Sequence, residues 1–179
     1  MDRVVAYIDG FNLYFGLKAE HGRKYLWLDL QGLVEGLLLP NQELREVQYF
    51  TARVRGDPEG ERRQGAYLDA LASHCQKVRR IDGRFQEKTR FEGAALDAYD
   101  TALLISGDTD LRPAIASVKR LQPEKLIFAA FPPRRYSARL VQSVDAYTRI
   151  GHDKIRNAQL PHEVMTKGGI TLNRPEYWR

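Results

Sequence analysis

A single cysteine, Cys75, is the only thiol among the 179 residues of the chain. One thiol excludes an internal disulfide and a cysteine-rich zinc site, and it is typical of a reducing compartment. The sequence also lacks an apolar run that approaches the length of a membrane span. Asp2 and Asp9 leave an amino-terminal apolar segment that is too short for a secretory signal. These absences predict a cytoplasmic protein with no membrane partner.

Motifs of several enzyme classes are missing as well. The four histidines do not show a zinc-ligand spacing such as His-x-x-x-His. The chain has neither a Gly-x-x-x-x-Gly-Lys loop nor a Gly-x-Gly-x-x-Gly turn, so nucleotide-driven and dinucleotide chemistry have no support. Ser106 and Ser137 do not lie in the sequence context of a hydrolase nucleophile.

Positive charge is concentrated in two segments. Residues 1–131 contain 19 Lys or Arg and 19 Asp or Glu, whereas residues 132–179 contain nine basic residues and four acids. A second cluster, from Lys77 to Arg90, holds six basic residues and two acids. Such patches suit a polyanion, because phosphate contacts supply most of the sequence-independent affinity for nucleic acids. A solvated basic surface explains the charge equally well.

Strand-like and helix-like segments alternate along the chain. Apolar or alternating runs predict five strands, at residues 3–9, 46–54, 77–85, 101–106 and 125–131. Helical patterns are found at residues 58–75, 110–121 and 134–150. This order predicts an α/β domain at residues 1–150, with a mostly parallel central sheet flanked by helices. The tail, residues 151–179, has no clear periodicity and is expected to pack on the domain, with Tyr177 and Trp178 as anchors.

The segment TALLISGDTDL, residues 101–111, places two carboxylates directly after a predicted strand. Locally, Gly107 and Asp108 predict a turn, and Asp110 is expected to cap the next helix. In an open parallel sheet, however, ligands bind beyond the carboxyl ends of the strands. Asp9 ends the first strand and would lie on the same rim. Three converging carboxylates repel one another unless a cation such as Mg²⁺ or Mn²⁺ lies between them.

Two segments in combination resemble the NYN family of PIN-like nucleases, in its LabA-like bacterial branch. They are YIDGFNLYF, with an Asp-x-x-Asn loop after the first strand, and LLISGDTDL, with a Ser-Gly-Asp-Thr-Asp turn after the fourth. The resemblance implies a three-layer PIN-like fold and metal-dependent cleavage of RNA phosphodiester bonds, with Mg²⁺ or Mn²⁺ as the cofactor. It implies that Asp9, Asp108 and Asp110 are the catalytic and metal-binding acids. It implies supporting roles for Asn12, Ser106 and Thr109.

One part of the family pattern is missing. Family members usually carry a further aspartate in a segment before the Ser-Gly-Asp strand, whereas the crossover at residues 86–100 leaves room for only a short helix, at 94–99. Glu92 and Asp97 are the only nearby acids that could replace it, and Asp97 is better explained as a surface residue of that helix. A metal site that lacks one ligand would bind its ion weakly or only with substrate present.

Two further groups could contact RNA. The residues after the fifth strand are expected on the same rim as the acids and are candidates for guiding the RNA backbone, although a solvated helix start explains them equally well: Arg134, Arg135 and Tyr136. The aromatic residues that follow Asp9 are candidates either for the core of the first helix or for stacking on a base: Phe11, Tyr14 and Phe15.

The sequence leaves three functional hypotheses. The first is a metal-dependent ribonuclease for single-stranded or structured RNA. The second is an RNA-binding or protein-interaction module that has kept the fold and lost a metal ligand. The third, a phosphate-accepting receiver-like domain, is disfavoured because receivers cluster their acids after the first and third strands. A homodimer is compatible with the sequence, which does not decide the oligomeric state.

Overall fold

The computed structural model describes residues 1–83 and 98–178. Its centre is a six-stranded sheet in which each neighbouring pair of strands is parallel. The strands are β1 Asp2–Asp9, β2 Gln42–Thr51, β3 Val78–Asp82, β4 Thr101–Ile105, β5 Leu126–Phe131 and β6 Ala146–Arg149. They lie in the order β3-β2-β1-β4-β5-β6. The prediction of an α/β fold with a parallel central sheet is confirmed.

Helices flank the sheet, and polar caps explain where several of them begin. The α-helices in the described residues are α1 Gly10–His21, α2 Leu30–Glu35, α3 Pro58–His74, α4 Arg112–Leu121, α5 Ala138–Val141 and α6 His152–Asn157. The carboxylates of Asp9, Asp29 and Asp57 accept N–H bonds from the first turns of α1, α2 and α3. In this part of the chain, no helix is both long and apolar enough to span a bilayer.

Strand β1 separates two hydrophobic cores because its side chains alternate between the faces of the sheet. Val4, Ala6 and Ile8 belong to a core that includes residues of α1, α2, α3 and the tail. Val5 and Tyr7 belong to a second core, which includes residues of α4. The molecule therefore has three layers, with the sheet buried on both sides around its centre.

The central pair of strands, β1 and β4, is held at its amino-terminal end by an ion pair. Arg3 Nε lies 3.0 Å from one carboxylate oxygen of Asp100, and a terminal guanidinium nitrogen lies 2.7 Å from the other. The strands pair in the register that places Ile8 opposite Ile105. As a result, Asp9 comes directly beside the turn that follows β4.

Several predicted bounds are wrong: strand β2 ends at Thr51 instead of residue 54, strand β3 ends at Asp82, and α4 begins at Arg112 instead of residue 110. Residues 134–150 do not form one helix, since α5 ends at Val141 and β6 then pairs with β5. All of β6 is exposed, so it lacks the apolar alternation that marks a half-buried strand. Strand β2 begins four residues before its predicted start, and a bulge at Arg45 interrupts its alternation there. Glu92, Asp97, the end of the predicted third strand and most of the predicted helix at 94–99 lie outside the described residues.

The tail packs against the first core through one of its two predicted anchors. After α6 it forms a hairpin, β7 Glu163–Met165 and β8 Thr171–Asn173, and a 3₁₀ turn, Glu176–Trp178. Trp178 is 8% exposed, and its ring centroid lies 6.4 Å from that of Trp27 and 5.8 Å from that of Tyr67. Tyr177 is 52% exposed. Trp178 is therefore the buried anchor, and Tyr177 lies at the surface.

We expect Trp178→Ala to lower the free energy of unfolding by about 3–5 kcal/mol, the usual cost of truncating a buried tryptophan. Urea unfolding followed by circular dichroism measures the change. The control is Ile170→Ala, at a tail residue that is 65% exposed, and it should change the free energy by less than about 0.5 kcal/mol. Equal effects of the two substitutions would contradict the role of Trp178.

Candidate functional site

The predicted acids lie where the order of the strands reverses. After β1 the chain continues to β2 on one side, and after β4 it continues to β5 on the other. Ligands of open parallel sheets bind at such a point, beyond the carboxyl ends of the strands. Asp9 is the last residue of β1, and Ser106, Gly107 and Asp108 follow β4. The sheet therefore brings the Asp-x-x-Asn loop and the Ser-Gly-Asp turn together.

Hydrogen bonds tie these two turns into one unit. One oxygen of the Asp9 carboxylate accepts the N–H of Asn12 at 3.1 Å, and the other accepts the Ser106 hydroxyl at 3.1 Å. The Asn12 side-chain carbonyl accepts the N–H of Gly107 at 2.9 Å. The Ser106 hydroxyl oxygen also accepts the N–H of Asp108 at 3.1 Å. Asn12 and Ser106 therefore hold the Asp9 carboxylate and the backbone of the second turn at the same time.

The second turn is capped by Asp108 rather than by Asp110. Asp108 accepts the N–H of Asp110 at 3.0 Å and caps a 3₁₀ turn, Thr109–Leu111. Helix α4 then begins at Arg112 and has no side-chain cap. The predicted helix cap by Asp110 is therefore wrong. Asp108 and Thr109 are half-buried, whereas Asp110 is exposed.

Asp9 is a buried carboxylate without a basic partner in the described residues. It is 7% exposed, and its contacts are the hydrogen bonds from the two turns. Burial raises the pKa of the Asp9 carboxyl above its ordinary value, and the nearby charge of Asp108 adds to the rise. The hydrogen bonds from Asn12 and Ser106 lower the pKa and oppose part of this effect. Asp9 and Asp108 are thus two interacting acids at the centre of the rim.

The carboxylate of Asp110 does not form a compact metal-binding group with those of Asp9 and Asp108. Within residues 1–83 and 98–178, no three His, Cys, Asp or Glu side chains are grouped so that they could hold a metal ion. The site that the structure describes consists of Asp9 and Asp108, with the exposed Asp110 beside them. The predicted substitutes for the missing acid, Glu92 and Asp97, lie outside the described residues.

Because Gly107 has no side chain, the loop after β5 passes directly over the turn that carries Asp108. A Cβ at this position would lie 1.7 Å from the carbonyl oxygen of Arg135, which is far inside van der Waals contact. The backbone of Arg135 is thereby packed on the turn that carries Asp108. The predicted RNA-guiding segment does lie on the same rim as the acids.

The side chains of Arg134 and Tyr136 in that segment point to other partners, whereas Arg135 Nε is buried with no hydrogen-bond partner in the described residues. Arg134 has a left-handed backbone, with φ 56°, and its Nε lies 2.5 Å from the carboxylate of Glu20. Glu20 is eleven residues beyond Asp9 along α1, or about 16 Å along the helix axis. The ring of Tyr136 packs on Phe131 and lies 4.4 Å from the guanidinium carbon of Arg149. The backbone of Arg135 therefore borders the acid-bearing turn, whereas the guanidinium of Arg134 is paired with Glu20.

A cleft next to the site, lined by Gly10 directly after Asp9, does not emerge from the sequence pattern. It has a volume of about 420 Å³ and is bordered by α1, α3 and the end of the tail. Its lining includes Gly10, Phe11, Phe15, Lys18, Arg23 and Tyr177. The sequence indicates the aromatic residues after Asp9 as candidates for base contacts. No sequence pattern connects them to Arg23 or to Tyr177, because only the fold brings those two residues close to them.

Comparisons with known proteins define the class of fold. No family model matches the chain, and no curated protein matches it. Among solved structures, it is similar to the crystal structure of a protein of unknown function from Vibrio parahaemolyticus, with a TM-score of 0.57 and 17% sequence identity. The match covers 85% of this chain and 94% of that protein. At this identity the likeness shows the fold alone, a three-layer α/β architecture consistent with the PIN-like one.

We expect Asp9→Asn to be at least as stable as the native protein at pH 7 in EDTA. Because the folded state raises the pKa of Asp9, it binds the proton more tightly than the unfolded chain does, and ionisation of Asp9 destabilises the fold as the pH rises above about 4. The amide removes that penalty. The stability advantage of the variant should therefore shrink as the pH falls towards 4.

Urea unfolding between pH 4 and 8 measures this difference. Asp69→Asn, at an exposed aspartate of α3, is the matched control for replacing a carboxylate by an amide. An Asp9→Asn variant that is less stable than the native protein by the same amount at every pH would contradict the unfavourable burial of the charge.

Gly107→Ala should be strongly destabilising, because the added methyl group overlaps the backbone of Arg135. We expect a loss of at least about 1–3 kcal/mol, the usual range for overpacking. Gly65→Ala is the control: Gly65 is in α3 with no atom within 4 Å of its added Cβ, so the substitution should stabilise the protein by about 0.5–1 kcal/mol. Thermal unfolding of both variants measures the contrast, and similar melting temperatures would overturn the packing argument.

Proposed function

We propose that the protein is a metal-dependent ribonuclease whose site is centred on Asp9 and Asp108. The observation that carries the proposal is the burial of the Asp9 carboxylate, which has no basic partner in the described residues, beside the carboxylate of Asp108 at the switch point of the sheet. Such an arrangement is unfavourable unless a ligand compensates for it. The resemblance of the two acid turns to the NYN family supports the same function.

The donor set fits a hard divalent cation such as Mg²⁺ or Mn²⁺. Both ions prefer oxygen ligands and are commonly held by one or two carboxylates together with phosphate oxygens of the substrate and water. Asp9 and Asp108 would hold the ion, and Asp110 lies exposed beside them. When bound, the ion would lower the pKa of a water molecule and neutralise charge on the phosphate.

The residues of the chain have separate tasks in this proposal. Asn12 and Ser106 orient the Asp9 carboxylate, since each bonds it and also bonds the backbone of the second turn. The hydrogen bonds that the Asp9 carboxylate accepts, from Asn12, Ser106 and Phe11, do not use all of its lone pairs. Asp108 is positioned by the 3₁₀ turn that it caps. We place this activity in the cytoplasm, in keeping with the free and buried Cys75.

A second function is favoured by a different observation. The described residues contain no group of three acids, cysteines or histidines that could hold a metal ion. This supports a module that binds RNA and leaves it intact. The two proposals differ in whether Asp9 and Asp108 are needed for an activity or only for the shape of the rim.

Cleavage of end-labelled single-stranded RNA with Mn²⁺, Mg²⁺ or EDTA separates the two. We expect the native protein to cleave only with metal, and Asp108→Asn to reduce the rate by about a hundredfold or more, because the charge stabilisation that a bound metal ion supplies is worth several kcal/mol. Asp69→Asn should retain the native rate. Full metal-dependent cleavage by Asp108→Asn would overturn the mechanism.

A binding measurement makes the test independent of catalysis. Mn²⁺ that binds the folded site should raise the melting temperature of the native protein with increasing concentration, and it should not do so for Asp9→Asn. RNA that stays intact under all conditions, with no shift of the native melting temperature, would favour the binding module.

A further inference from the structure

The cleft beside Asp9 presents two aromatic rings to solvent. Phe11 and Phe15 are 45% and 46% exposed, and they lie one turn apart on α1. Their ring centroids are 6.4 Å apart, and the ring planes differ by only 17°. Gly10, which also lines the cleft, directly follows Asp9 in the chain. The exposed rings therefore begin next to the proposed site and extend away from it along the first helix.

The same cleft carries positive charge that the described carboxylates do not neutralise. Lys18 and Arg23 form no ion pair with an acid of the described residues; Lys18 Nζ lies 5.8 Å from the ring centroid of Tyr14. The guanidinium carbons of Arg23 and Arg63 lie 3.9 and 4.7 Å from the ring centroid of Tyr177. Arg63 is paired with two carboxylates of α3 and its cap, Asp57 at 3.8 Å and Glu59 at 3.7 Å. The cleft therefore combines exposed rings with two cations, Lys18 and Arg23, that have no acidic partner in the described residues.

We infer that this cleft binds an unpaired nucleotide of a single-stranded RNA beside the proposed site. The base would stack on Phe11 and Phe15, and the phosphate would lie near Lys18 and Arg23. Aromatic platforms combined with a cationic groove are the usual means of binding single strands. A volume of about 420 Å³ lies in the range of clefts that hold small ligands. This inference rests on the proposed function and restricts its substrate to RNA with unpaired nucleotides.

The inference selects among RNA structures. A base in a duplex is stacked between its neighbours and cannot lie on a protein ring unless it leaves the helix. Duplex RNA would reach the basic surface through its phosphates and gain nothing from the two phenylalanines. Single-stranded RNA is therefore the substrate that the cleft favours over a regular duplex.

Binding in EDTA tests the inference without any cleavage. The probe is a fluorescein-labelled single-stranded RNA of twelve nucleotides, and the competing probe is the same strand paired with its complement; fluorescence anisotropy gives the dissociation constants. We expect the native protein to bind the single strand more tightly. Phe11→Ala combined with Phe15→Ala should weaken that binding about tenfold or more, given the usual contribution of base stacking. It should leave duplex binding unchanged.

Two sets of variants complete the test. Lys18→Gln and Arg23→Gln should each reduce the slope of log affinity against log salt by about one, as expected for a lost phosphate contact. Leu121→Ala is the control for loss of an exposed apolar side chain; Leu121 is 69% exposed on α4, whose buried residues belong to the second core. It should bind the single strand as the native protein does. Circular dichroism verifies that each variant is folded.

The outcomes separate this inference from the proposed function. If the folded double-phenylalanine variant binds the single strand like the native protein, the cleft is not the nucleotide site, although metal-dependent cleavage would still establish the nuclease. If the native protein binds the single strand through the cleft and never cleaves it, the inference stands and the ribonuclease proposal fails. If the native protein binds neither probe, or prefers the duplex, the inference is overturned.

Discussion

The register of β1 on β4 is the constraint on which the rest of the molecule depends. It is held by side chains at both ends: Arg3 binds Asp100 at the amino-terminal end, and Ser106 donates to Asp9 at the other. Because successive side chains of a strand point to opposite faces, a slip by one residue would exchange the two cores and separate the turns that carry the acids. The register of β1 on β4 therefore determines both the division into two cores and the position of the carboxylates.

Asp9 shows how a structural role and a functional role can share one side chain. As the cap of α1 it accepts an N–H bond with one oxygen, and it binds the Ser106 hydroxyl with the other. A cap that needed only to start a helix would be as effective at the surface, where Asp57 caps α3 with its carboxylate exposed. Burial of Asp9 beside Asp108 raises its pKa and adds an unfavourable energy that capping does not require. That excess is the physical argument for a ligand at this rim.

Much of the fold could be predicted because the central strands are buried on both faces. β1, β4 and β5 are nearly continuous apolar runs, and the positions of Asp9 and Asp108 follow from where those runs end. Strand β6 could not be predicted, since its four residues are all exposed and show no apolar alternation. The choice of Asp108 as the capping residue depends on the 3₁₀ turn, which the helical pattern does not reveal. The cleft escaped prediction because Arg23, Arg63 and Tyr177 meet only after the tail has returned to α1 and α3.

The path of the tail also places two neighbouring residues, Tyr177 and Trp178, under different constraints. Trp178 is buried in the first core, whereas its neighbour Tyr177 lies outside, against two guanidinium groups at the cleft. Substitutions of Tyr177 can alter the shape and charge of the cleft while the sheet, the acids and the anchoring tryptophan stay in place. A homologue could thus acquire a different ligand preference through the last few residues of this fold, without any change at its most constrained positions. Tyr177 in the tail can therefore vary while the fold itself stays unchanged.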